Sequence, residues 1–116
     1  MPNQPQPAPP APVLVFQALA DPTRLAVVER LSRGPASTGE LAAPFRMALP
    51  SLMQHLGVLR DCGLVRSTKA GRVRTYELDP AALQAAEGWL AAQRAHWGRR
   101  LDQLDDYLEE WKERPE

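Results

Sequence analysis

Residues 37–78 read STGELAAPFRMALPSLMQHLGVLRDCGLVRSTKAGRVRTYEL, and the order of signals in this stretch decides the fold. Ser37 and Glu40 stand at the spacing of a capping box, in which a hydroxyl and a carboxylate satisfy each other's unpaired amides at a helix start. A short helix follows toward Phe45, and Pro44 keeps it short because proline removes a hydrogen bond and clashes with the preceding turn. Arg46-Met47-Ala48-Leu49 then makes a turn into a second helix, with Pro50 at a tolerated early position and Gly63 at the exit. Beyond Gly63, LVRST and RVRTYEL are rich in Val, Thr, Leu and Tyr around a glycine-containing turn, the pattern of a β-hairpin. Helix, turn, helix and hairpin in this order predict a mainly α fold with one β-hairpin, a winged helix-turn-helix.

Toward the N-terminus, VLVFQALA is a short apolar helix ending near Ala20, and Asp21-Pro22 caps and starts another. In that helix Leu25, Val28 and Leu31 are expected to point inward, Arg24, Glu29 and Arg30 to face water, and Gly34-Pro35 to end it. Half of the twelve prolines fall in residues 1–12, which are expected to form a poorly ordered, solvated arm. Toward the C-terminus, Asp79-Pro80 repeats the cap-plus-proline signal, and helix-forming composition continues from Ala81 to about Lys112. A helix of that length reaches roughly 45 Å, more than one small core covers. Leu83, Leu90, Trp97, Leu104 and Trp111 recur every seven residues, with Leu101 and Leu108 completing a four-three alternation, so a partner helix is the natural cover. The expected organisation is an arm at 1–12, a DNA-binding core at 13–79, and a dimerisation helix at 80–113 of the same domain.

The chain has 116 residues, enough for a single domain, which excludes multi-domain enzymes. Fourteen Lys and Arg balance fourteen Asp and Glu, so the placement of charge, not its sum, must carry any affinity for a polyanion. Arg66, Lys69, Arg72 and Arg74 crowd the hairpin, while seven of the fourteen acids lie from Leu101 onward. Such a basic tip neutralises phosphates, and Arg46 and Arg60 are expected to join Lys69, Arg72 and Arg74 in holding a DNA backbone. On a wheel of the helix after Pro50, Leu52, Leu56 and Leu59 fall in one sector and Pro50, Gln54, Gly57 and Asp61 opposite. Base readout is therefore assigned to Gln54, which can bond adenine bidentately, to Ser51, and to Met53, which can pack on a thymine methyl. His55, between the two faces, is expected to bond backbone or a phosphate.

Cys62 is the one cysteine, so neither an internal disulfide nor a multi-thiolate metal site is available, as expected of a reducing cytosol. A secretory leader and a membrane-spanning stretch are both absent from the pattern, and a cytoplasmic protein without membrane partners is expected. No catalytic constellation is present: His55 and Cys62 sit about 10 Å apart along one helix, beyond the reach a nucleophile and base need. Two alternatives to a plain DNA-binding regulator remain, a winged-helix module whose basic wing meets an acidic protein, and a regulator that responds to oxidation of Cys62.

Taken together, FQALADPTRLAVVERL, GELAAPFRMALPSLMQHLGVLRDCGLV and GRVRTYELDP resemble the ArsR/SmtB family of winged-helix repressors over roughly residues 13 to 113. The resemblance implies a homodimer that binds a near-palindromic operator, with the first and last helices at the dimer interface. On this chain those helices carry Val13 and Phe16, and Leu83, Leu90, Trp97, Leu101, Leu104 and Leu108. Many members sense metals through thiolates on the third helix or histidines and carboxylates on the last. Here the third helix reads GELAAPF and the last offers His96 beside Arg99 and Arg100, so neither a metal site nor another cofactor is expected, and the effector is unknown. Leu49 and Met53 stand where the family usually carries polar groups, which shifts base readout toward methyl contacts and shape.

Overall fold

The computed structural model describes residues 11–113; the proline-rich arm lies largely outside the described residues. In chain order the elements are α1 (Ala11–Leu19), α2 (Pro22–Leu31), β1 (Ala36–Ser37), α3 (Thr38–Ala42), α4 (Leu49–Asp61), β2 (Val65–Ala70), β3 (Val73–Leu78) and α5 (Pro80–Glu113). The chain divides into two units, Met1–Ala86 and Glu87–Glu116. The mainly α class, the hairpin and the long C-terminal helix agree with the sequence reading; α1 begins two residues before the expected Val13.

Local chemistry sets most of the element ends in the first unit. Asp21 caps α2 by accepting from the Arg24 amide at 3.0 Å, and Pro22 follows in the first turn. Ser37 and Glu40 close the capping box of α3, each side chain 3.2 Å from the other residue's backbone nitrogen. At the end of α4, Gly63 adopts φ 84°, and the Leu64 and Gly63 amides bond the Leu59 and Arg60 carbonyls, both at 3.0 Å. This double closure is a Schellman motif, and its apolar clasp is the buried pair Leu59 and Leu64. Between β2 and β3 only Gly71 and Arg72 intervene; Gly71 alone takes positive φ, 63°, as in a II′ turn.

The core gathers Val15 and Ala18 of α1, Val27, Val28 and Leu31 of α2, Leu41 of α3, Leu52, Leu56 and Leu59 of α4, Leu64, Val65 and Tyr76 of the hairpin region, and Ala86 of α5. Leu25 is a correction to the sequence reading, because it is 44% exposed and Val27, at 1%, takes the inward place. The physical reason is phase: at about 100° per residue Leu25 lies about 120° from Leu31, whereas Val27, Val28 and Leu31 fit one sector of about 100°. Arg24, expected to face water, is also half-buried and closes the end of α1, donating to the Ala18 carbonyl at 2.6 Å and the Gln17 carbonyl at 3.3 Å.

The sheet is three-stranded and antiparallel in the order β1-β3-β2, with Ala36 opposite Tyr76 and Ser37 opposite Thr75. The sequence reading had only the hairpin. β1 is two residues long and pairs with a strand far along the chain, so no local periodicity marks it. In the hairpin, Val65, Ser67 and Lys69 face Leu78, Tyr76 and Arg74, and this face carries the buried Val65 and Tyr76. Lys69 and Arg74 therefore continue the inner face to the tip of the wing, where the apolar core has ended.

In the second unit, residues 87–113 are helical, about 40 Å at 1.5 Å per residue, and almost every side chain is exposed. Leu90, Trp97, Leu101, Leu104, Tyr107, Leu108 and Trp111 are each between 46% and 62% exposed. Tyr107 and Trp111 meet edge to face with ring centroids 6.1 Å apart.

Candidate nucleic-acid interface

Helix α4 turns one face into the core through Leu52, Leu56 and Leu59, none more than 1% exposed. Its opposite side is thereby presented outward: Pro50, Ser51, Gln54 and Asp61 are exposed, Gly57 is half-buried, and Met53 keeps 39% of its surface. Leu49, the first residue of α4, is 54% exposed, and Val58 42%. The N-cap is Ala48, with no side chain accepting from the first-turn amides. This helical edge has short or flexible side chains and one acid, Asp61, which lies 3.5 Å from Arg60. Such an edge fits a major groove, whose width admits one helix and whose floor offers donors, acceptors and thymine methyls.

Among the expected base-reading residues, Ser51, Met53 and Gln54 all lie on exposed positions of α4, Gln54 near the centre and the other two on opposite flanks. His55 is placed differently from them. It is half-buried, with Nδ1 3.2 Å from an Arg24 guanidinium nitrogen and 3.7 Å from an Asp21 carboxylate oxygen. The ring ties α4 to the start of α2, and through Arg24 to the last carbonyls of α1. The Arg24 amide bonded to its carboxylate, together with the nearby His55 and Arg24 side chains, holds Asp21 below the ordinary carboxylate value despite partial desolvation.

The wing sorts its cations by partner. Arg72 in the turn and Lys69 on β2 are exposed. Arg74 is half-buried, and its guanidinium donates to Ser67 Oγ across the strands at 2.8 Å. Arg66, one of the four basic residues of the hairpin, is directly opposite Glu77 and pairs with it at 2.8 Å. That pair was readable in advance, since a two-residue loop at Gly71-Arg72 fixes Arg66 opposite Glu77. Arg72 and Arg74 also border a cleft of about 230 Å³ with Ser37, Thr38 and Gly39, so the wing tip stands beside the start of α3. Arg46 is exposed in the connection between α3 and α4, and Arg60 is exposed in the last turn of α4.

Cys62 forms the C-cap of α4, half-buried, with its thiol donating to the Leu59 carbonyl at 3.3 Å. Val13 is 39% exposed, whereas Phe16 and Leu83, two residues expected at a dimer interface, pack half-buried on the core of the first unit. Among the described residues, no three His, Cys, Asp or Glu side chains gather as a metal site, and no helix is long and apolar enough to cross a membrane.

Comparison with known proteins places this geometry in a family. Residues 19–68 match the helix-turn-helix domain family. The chain is 48% identical over 75 residues to the HTH-type transcriptional regulator Rv2034 of Mycobacterium tuberculosis, covering 65% of this chain and 70% of that protein. It is 30% identical over 76 residues to the transcriptional repressor SdpR of Bacillus subtilis, covering 66% and 84%. A crystal structure of an ArsR family transcriptional regulator superposes with a TM-score of 0.74 at 52% identity, over 79% of this chain and 95% of that one. These relatives are regulators of transcription, not enzymes, and the chain belongs to the ArsR family of winged helix-turn-helix transcriptional repressors.

Proposed function

We propose that the protein is a cytoplasmic homodimeric repressor that places two copies of α4 in successive major grooves of a near-palindromic operator and works without a family-type metal site. Ser51, Met53 and Gln54 read bases, while Arg46, Arg60, Lys69, Arg72 and Arg74 hold backbone phosphates. His55 contributes by fixing the orientation of α4 through Asp21 and Arg24. Residues 13–79 carry the DNA contacts and residues 80–113 the pairing of subunits.

The observation that carries the reading is the outer edge of α4, exposed and nearly free of acids, in a chain whose wing presents Arg72 and Lys69 to solvent. The pairing of two chains is supported by the apolar series Leu90, Trp97, Leu101, Leu104 and Leu108, each 46% to 62% exposed along one helix. Burying such a side chain contributes about 1.5–3 kcal/mol, so leaving the whole series in water is unfavourable.

The test is selection of duplexes from a random pool with purified protein, with and without added zinc. A two-fold symmetric consensus, bound equally in both conditions and released by salt, is the expected result. No enrichment, combined with retention of an acidic protein surface instead, would mean that the wing serves a protein partner. A consensus bound only with zinc, or only without it, would refute the metal-independent part of the reading.

A further inference from the structure

Gly57 sits in the middle of α4, and nothing inside the fold requires a glycine there. Its φ is outside the left-handed region, and a Cβ built on it would meet only the tip of the flexible Arg60 side chain, at 3.9 Å. Glycine in a helix interior is less favourable than any residue except proline. Glycine serves where a ligand must come close to the backbone, and on the outward side of α4 such an approach comes from outside the fold.

The neighbours of Gly57 give that approach its chemistry. Leu49, Met53 and Gly57 are spaced by four residues and form one row along α4, about 40° apart from one to the next. Leu49 is 54% and Met53 39% exposed, so the row is an apolar strip ending in a gap. On one side of it lies Gln54, able to bond an adenine edge, and the connection before it carries the exposed Arg46. Apolar side chains within a DNA-facing edge meet one apolar group on the floor of the major groove, the thymine 5-methyl.

We propose that Leu49 and Met53 read thymine 5-methyl groups and that Gly57 lets the duplex come close enough for them to do so. The inference rests on the operator-binding reading above and adds Leu49 and Gly57 to the residues that determine specificity. An adenine bonded by Gln54 is paired with a thymine, so the polar and apolar parts of the edge read the two sides of A·T pairs.

The experiment takes the duplex selected from the random pool and replaces its thymines with deoxyuridine, which removes the methyl and keeps every base-pairing group. Dissociation constants are measured by fluorescence anisotropy for the full-length protein and for Leu49→Ala, Met53→Ala and Gly57→Ala. The uracil duplex is expected to bind about fourfold more weakly for each methyl in contact, the worth of one buried methyl. Leu49→Ala and Met53→Ala are expected to shrink that ratio toward one. Gly57→Ala is expected to leave Tm unchanged or to raise it by up to about 8 °C. The same variant is expected to weaken operator binding more than tenfold, opposite in sign to a merely structural role.

Equal binding of the thymine and uracil duplexes by the unmodified protein, with a scrambled duplex still rejected, overturns methyl readout while leaving operator binding intact. Unchanged operator affinity in Gly57→Ala overturns the close approach. If no duplex is enriched at all, the operator reading falls, and this inference with it.

Discussion

Replacing Arg72 by alanine removes an exposed guanidinium from the II′ turn of the wing, a position with φ left of zero and a neighbour, Gly71, that sets the turn. The fold should not register the change, but the salt dependence of DNA binding should. Each neutralised phosphate contributes about 0.9 to the slope of log affinity against log salt, so one arginine from each of two subunits accounts for about 1.8. Between 50 and 200 mM salt that difference means the advantage of the unmodified protein over Arg72→Ala falls about twelvefold. Arg66→Ala is the internal control, because Arg66 already pairs with Glu77 at 2.8 Å and should leave the slope unchanged. Arg74→Ala should fall between them, its guanidinium being held by Ser67 at 2.8 Å. Anisotropy titrations of the selected duplex at four or five salt concentrations read all three slopes. Equal flattening by Arg66→Ala and Arg72→Ala would refute the reasoning that the pairing with Glu77 keeps Arg66 from meeting phosphate.

Leu56→Ala, at a side chain 1% exposed in the middle of α4, should lower stability by about 3 kcal/mol or more in urea unfolding, through lost burial and a residual cavity. Gly63→Ala should cost about 1–2 kcal/mol from the left-handed backbone alone, because its Cβ would meet Ala82 Cβ at an unstrained 4.0 Å. The carboxyl of Asp21 lies below its ordinary 3.8 in the folded chain, mainly through the Arg24 amide. Its stabilisation is therefore present above that ordinary value and lost as pH falls through the lower folded value, and Asp21→Asn should flatten the acid limb of the stability profile. Leu104→Glu with Leu108→Glu should shift sedimentation from two chains toward one, since two leucines from each of two subunits represent about 6 kcal/mol or more of burial.

What the sequence made legible was local. Asp21-Pro22, the Ser37 and Glu40 box and Gly63 each mark an element end through a bond between near neighbours, and the structure has a helix boundary at each. The division of α4 into a buried row and an outward edge was also readable, because thirteen residues give the wheel enough turns to fix its phase. In α2 the phase slipped: a spacing of three residues through Leu25, Val28 and Leu31 drifts around a short helix, whereas Val27, Val28 and Leu31 keep to one sector of about 100°.

The parts that stayed hidden depend on partners far apart in sequence. The strand at Ala36-Ser37 exists only by pairing with Tyr76 and Thr75. Arg24 looked like a solvated cation because its acceptors, the Ala18 carbonyl and the His55 ring, belong to other elements. His55, expected to bond backbone or a phosphate, likewise has its partners Arg24 and Asp21 in another part of the chain. Charge marks Arg66 as one of the hairpin's basic residues but does not reveal that Glu77 engages it; the turn length does, once the cross-strand register is followed. Gly57 was placed on the outer face, but only the three-dimensional surroundings expose that no atom of the fold demands a glycine.

The claim on which the account turns is that two copies of α4 enter two grooves on one face of a duplex. Methylation interference at guanine N7 on the selected operator measures this directly. The account predicts two groups of interfering guanines related by a dyad and centred one or two helical turns apart, with bound protein at two chains per duplex. A single group of interfering positions, or one chain per duplex at saturation, would contradict it.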